Sequence, residues 1–91
     1  AGIGGGTAEV VGSKLSDLAA RHQVLCITHL PQIAKFGAHH FRISKQVIDG
    51  RTLTKIKPLD DDDRIEEIAR MLGGVDITAA TLHHARELLK Q

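Results

Sequence analysis

The sequence predicts an α/β fold, and three observations carry that expectation. A helical apolar stripe is followed at once by a short β-type run, Val24-Leu25-Cys26-Ile27-Thr28, and helix, short loop and apolar strand in succession are the α/β rhythm. An alternating segment then turns on Asp49-Gly50, the strongest short-range hairpin signal in the chain. Two further helical stripes follow. At 91 residues the chain suits one domain or part of one.

Each element has its own justification. Ala8, Val11, Leu15 and Leu18 recur at three- and four-residue steps, which predicts a helix over 7–21. Thr7 is placed to cap its start, and Arg21-His22 to meet its negative end. Residues 23–28 are too few for a helix, and their consecutive apolar side chains suit a parallel strand covered on both faces. Pro31 is suited to the first turn of a short helix that Gln32 to Phe36 complete. The hairpin is expected over 40–58. Phe41, Ile43 and Val47 alternate with polar residues on the way out, Leu53 and Ile56 are apolar on the return, and Pro58 ends the strand. Asp60-Asp61-Asp62-Asp63 then meets the positive end of a helix striped by Ile65, Ile68, Ala69 and Leu72 and stopped at Gly73-Gly74. A last helix is expected from Thr78 to Lys90, with Ala80, Ala85, Leu88 and Leu89 inward.

Composition narrows the function classes. Apolar residues make up 42% of the chain and aromatic residues only 2%, so the core must be aliphatic. Twelve basic residues against eleven acidic ones leave a formal charge of +1, and no basic field argues for DNA binding by this segment itself. No apolar run is long enough to span a membrane. The single Cys26 excludes an internal disulfide framework and fits a reducing cytoplasm. The chain opens without Met on a cluster of glycines, Gly2, Gly4, Gly5 and Gly6. A glycine loop normally joins two ordered elements, so the expectation is a carboxy-terminal piece of a longer protein.

The candidates for chemistry are few. "GIGGGT" lacks the third glycine of a dinucleotide fingerprint, since Thr7 stands there, and it lacks the Lys-Ser/Thr pair of a Walker A loop. It reads either as a linker or as a loop that another backbone or a ligand approaches closely. His29 follows the apolar run immediately. In open α/β sheets ligands bind beyond the carboxyl ends of strands, where an imidazole N–H can donate to a phosphate oxygen or a water; the alternative is a local structural histidine. The adjacent pairs His39-His40 and His83-His84 diverge on any regular element and do not make a metal site. The Asp60–Asp63 run lacks the alternating ligands and central glycine of a calcium loop and reads as helix capping. Cys26, inside the apolar run, reads as core.

Taken together, "GIGGGTAEVVGSKLSDLA", "QVLCITHLPQIA", "HHFRISK", "PLDDDDRIEEIARMLGG" and "ARELL" closely resemble the carboxy-terminal end of the bacterial RecN-type DNA repair proteins. That family is similar to the SMC-type ATPases of the ATP-binding-cassette class. The resemblance covers essentially the whole chain, and "CITHLPQIA" with "RMLGG" is its most specific part. It implies the distal part of one ATPase head lobe, acting in double-strand break repair and recombination. His29 maps onto the switch histidine that contacts the ATP γ-phosphate and helps place the attacking water. Residues 1–6, with Gly2, Gly4, Gly5 and Gly6, map onto the D-loop segment at the interface of two heads, and 23–36 onto the strand and switch-histidine loop. The implied partners are the amino-terminal part of the same head, a second head in a homodimer, and DNA; the implied location is the cytoplasm, at the nucleoid.

The family's Walker A loop, Q-loop, signature motif and Walker B carboxylates have no counterpart among these residues. ATP and Mg²⁺ are therefore expected in a longer protein, with neither bound by this fragment alone, which should not hydrolyse ATP. Two other readings stand beside this one. The chain could come from another SMC-like chromosome or recombination ATPase head. It could also be a non-catalytic interaction module in which His29 is structural and the glycines are a tether.

Overall fold

In a computed structural model, which describes residues 4–73 and 76–90, the elements run helix α1 (Gly5–Ala19), short helix α2 (Pro31–Ala34), strands β1 (Phe41–Ile48) and β2 (Arg51–Pro58), and helices α3 (Asp61–Gly73) and α4 (Ala79–Lys90). The α/β class and the hairpin with flanking helices are as the sequence predicts. The parallel strand is not. Residues 23–28 form neither helix nor strand, and the sheet consists of β1 and β2 alone, paired antiparallel. Leu25 and Ile27 are 86% and 83% exposed and Cys26 is exposed too, so the expected burial on both faces is also absent. The physical reason is plain. A strand is held by hydrogen bonds to a neighbour, and the described residues supply 23–28 with no partner strand.

The hairpin forms where alternation and turn chemistry agree. Asp49 and Gly50 both take positive φ, 51° and 74°, as a two-residue type I′ turn requires. Register then pairs Ile43 with Ile56 and Phe41 with Pro58, which puts Phe41, Ile43, Val47, Ile56 and Pro58 on one face. Arg42, Arg51, Lys55 and Lys57 lie on the other.

The core sits between α3 and α4. Ile68, Ala69 and Ala85 are completely buried, and Ile65, Leu72, Leu82, Leu88 and Leu89 close around them. The predicted α3 stripe is therefore the real one. Ala80, expected inward on α4, is exposed, and Leu82 is turned toward the core in its place. Both helices are capped at their starts. The Asp60 carboxylate accepts the Asp63 N–H at 2.8 Å. Thr78 and Thr81 exchange two side-chain-to-backbone bonds, with Thr81 N–H donating to Thr78 Oγ1 at 3.1 Å and Thr78 N–H to Thr81 Oγ1 at 2.9 Å. Reciprocal bonding of this kind satisfies two otherwise orphaned donors.

Helix α1 begins earlier than predicted. Gly4, extended at φ −65° and ψ 158°, is its N-cap, so Gly5 and Gly6 lie in its first turn and Thr7 is not the cap. Gly4 needs only a carbonyl to start the helix, and that carbonyl accepts the Ala8 N–H at 2.9 Å. Gly2 lies outside the described residues. Arg21 and His22 fall just past α1, in a turn closed by bonds to the Leu18 carbonyl. Of the predicted stripe, Ala8 is buried and Leu15 half-buried, while Val11 and Leu18 are exposed. The close contact comes instead from Gly12. A Cβ there would meet the Phe36 ring at 2.4 Å, so the absent side chain is what lets α1 lie against the α2 region. Among the described residues no helix is long and apolar enough to cross a membrane.

Candidate functional site

The segment around His29 is built from the backbone outward. The Thr28 hydroxyl accepts the Leu30 N–H at 3.0 Å, a local turn that serine and threonine favour. Leu30, extended at φ −99° and ψ 117°, is the N-cap of α2, and Pro31 opens the helix. Proline suits that position because its missing N–H is not needed there. The Leu30 carbonyl accepts the N–H groups of Ile33 and Ala34 at 3.1 and 3.0 Å. Pro31 and Ile33 are buried while His29 is exposed. The imidazole therefore projects from a turn fixed on both sides.

Helix α2 is only four residues long, and side chains from two other helices hold it. From α1, the Glu9 carboxylate meets Lys35 Nζ at 2.6 Å, with the Lys35 side chain almost fully buried; the same ammonium lies 5.1 Å over the Phe36 ring. From α3, Arg64 Nη2 donates to the carbonyls of Ala34, Lys35 and Gly37 at 3.2, 3.2 and 2.6 Å. The Ala34 carbonyl also accepts the Gly37 N–H at 3.1 Å, and Arg64 adds a side-chain donor where the helix ends. Burial pulls the Arg64 guanidinium below the usual arginine range, and Asp61 partly restores it. The glycines at the start of α1 and His29 at the approach to α2 thus lie on two elements packed together. Sequence reading missed Arg64, Lys35 and Glu9, and no spacing rule links residues so far apart in the chain.

A second group of charges fastens the hairpin to α3. Glu67 is 6% exposed yet charged. It accepts from Arg70 Nε at 3.1 Å and forms an ion pair with the same guanidinium, and Arg42 Nε stands 3.7 Å away. Lys57 pairs with Asp63 at 3.4 Å. With Leu59, Glu66 and Ile77 these residues line a cavity of about 100 Å³, room for a few waters rather than a nucleotide. Among the described residues no three of His, Cys, Asp and Glu come close enough to hold a metal ion.

His40 borders this group, and its buried Nδ1 has no hydrogen-bond partner among the described residues. Burial and the nearby Arg64 lower its pKa, and Glu67 opposes them. The folded state therefore prefers the neutral ring. Its contribution to stability is present above the unfolded value of about 6.5 and is lost as pH falls through and below it. The expected result is a steeper fall in melting temperature from pH 7.5 to 5 for the wild type than for His40→Gln. Equal slopes would show that His40 is not the group responsible.

No family model matches the chain. It is 46% identical over 90 residues to the DNA repair protein RecN of Bacillus subtilis, 53% identical over 90 residues to that of Xylella fastidiosa, and 54% identical over 89 residues to that of Deinococcus radiodurans. These matches take in 98–99% of the chain but only 16% of each relative. The chain therefore spans about a sixth of the length of the RecN proteins it matches.

Proposed function

We propose, from the chain's homology with one segment of the RecN DNA repair proteins, that it is the distal part of an ATPase head in a longer protein acting in DNA double-strand break repair and recombination. The observation that carries the reading is the turn at 28–31. Thr28, Leu30 and Pro31 fix the backbone while His29 stays exposed, which suits an imidazole that donates to a γ-phosphate oxygen. The exposed apolar run 25–27 fits the same reading, as part of a strand whose neighbours come from other parts of the head. Gly4 and Gly6 have open space where a Cβ would stand, which suits close approach by a second head across a bound nucleotide. That every relative named above is a RecN favours this assignment over another SMC-like ATPase.

The chemistry is shared with residues outside the segment. Mg²⁺ would neutralise charge on the transferring phosphate when bound. Three of the acids near α3 are already engaged: Asp60 caps the helix, Asp63 pairs with Lys57, and Glu67 is taken by Arg70. His29 would add one directed hydrogen bond at the γ-phosphate, and Thr28 and Pro31 would keep it aimed. DNA and a second head are the partners of the longer protein, which works in the cytoplasm at the nucleoid.

Calorimetry with MgATP tests the reading. The longer protein is expected to bind with micromolar affinity and the 91-residue chain not to bind measurably. Micromolar binding by the short chain, or none by the long one, would overturn the assignment.

A further inference from the structure

We propose that Arg64 is a positioning residue for His29, holding the carboxyl end of α2 so that the turn at its amino end keeps the imidazole in place. The proposal rests on the reading of His29 given above. Its geometric basis is independent of that reading.

A four-residue helix cannot hold itself. Isolated helices of this length are not stable in water, and α2 has too few internal bonds to fix its own direction. What fixes it lies outside. One nitrogen of Arg64 reaches three acceptors at and just past the helix's end, the carbonyls of Ala34, Lys35 and Gly37. The Arg64 Nε is buried and has no hydrogen-bond partner among the described residues, so the hydrogen bonds of this side chain there are the three made by Nη2. Arg64 itself stands in the first turn of α3, whose Ile68 and Ala69 are completely buried in the core. A rigid path therefore runs from that core, through Arg64, to α2 and on to Pro31 and His29. Helix α2 spans only one turn, so a tilt at its carboxyl end is passed directly to the 28–31 turn. The Glu9–Lys35 pair braces the same helix from α1. A planar guanidinium is suited to gathering several carbonyls, and a lysine ammonium on a shorter reach is a partial substitute.

The test uses the longer protein. Arg64→Ala is expected to lower ATP turnover by up to about 100-fold, the scale of a misplacement near 1 Å, while ATP affinity stays within about twofold. Arg64→Lys should recover part of the loss, and it guards against a variant that fails to fold. Combined with His29→Ala, Arg64→Ala should cause little further loss, because one residue acts through the other. Additive losses, or turnover and affinity falling together with melting temperature, would make Arg64 a general tertiary support and overturn the proposal.

A readout independent of catalysis separates failure of this proposal from failure of the His29 reading. The ¹H–¹⁵N signals of residues 28–36, including the His29 ring, should shift in Arg64→Lys while those of α4 stay in place. Unchanged signals would overturn the positioning role even if His29 proves essential. Shifted signals with a catalytically silent His29→Ala would uphold the clamp and remove His29 from the chemistry.

Discussion

In the longer protein, His29→Ala is expected to slow ATP turnover by roughly 100- to 1,000-fold while changing ATP affinity little. The size follows from what the side chain is asked to do. A single preorganised donor aimed at developing transition-state charge is typically worth about 2.7–4 kcal/mol. An interaction made mainly in the transition state appears in turnover and not in ground-state binding. The structure supplies the preorganisation: the Thr28 hydroxyl bonds Leu30, Pro31 starts α2, and both Pro31 and Ile33 are buried. Because His29 is exposed and outside the core, its loss should leave the melting temperature nearly unchanged. A structural histidine would behave differently, lowering melting temperature, affinity and turnover together. Steady-state ATPase, equilibrium ATP binding and thermal unfolding of the same variant distinguish the two. His39→Ala and His40→Ala are the controls, and His40→Ala should affect stability rather than turnover because that ring is half-buried and feels the charges of Arg64 and Glu67. Unchanged turnover in a well-folded His29→Ala protein would exclude His29 from the mechanism.

What the sequence disclosed depended on how local each determinant is. The hairpin was legible because its causes are neighbours in the chain: alternation at Phe41, Ile43 and Val47, and an Asp-Gly turn with both residues at positive φ. Helix α3 was legible for the same reason, with an acidic start capped by Asp60 and a stripe that does form the core. The start of α1 was misread because a helix propagates into any residue that can take helical angles, and Gly5 and Gly6 can. The place of His29, directly after an apolar run and two residues before Pro31, was also visible. What holds it was not. Arg64 looks like one more charged residue in "DDDDRIEE", and Lys35 like a surface lysine. Only the folded chain brings them to Gly37 and Glu9.

The apolar run 23–28 is the informative disagreement. Its sequence is that of a buried strand, yet Leu25 and Ile27 stand almost fully exposed. Contiguous exposed apolar side chains are costly in water, about 25 cal/mol for each Å² left uncovered. On the proposed reading the missing cover comes from other parts of a longer protein. The predicted strand is absent from the segment itself, and only the proposed longer protein would supply it with neighbours.

Amide hydrogen exchange over residues 24–28 tests that claim most directly, comparing the 91-residue chain with the longer protein. In the short chain these amides should exchange at nearly the free-peptide rate, since no strand pairs with them. In the longer protein the account predicts a central strand that opens only with the core. An opening free energy of about 5 kcal/mol or more corresponds to slowing by roughly three orders of magnitude or more. Fast exchange at 24–28 in the longer protein, with the hairpin and α3 protected as usual, would contradict the account, because the segment would then have no sheet to join.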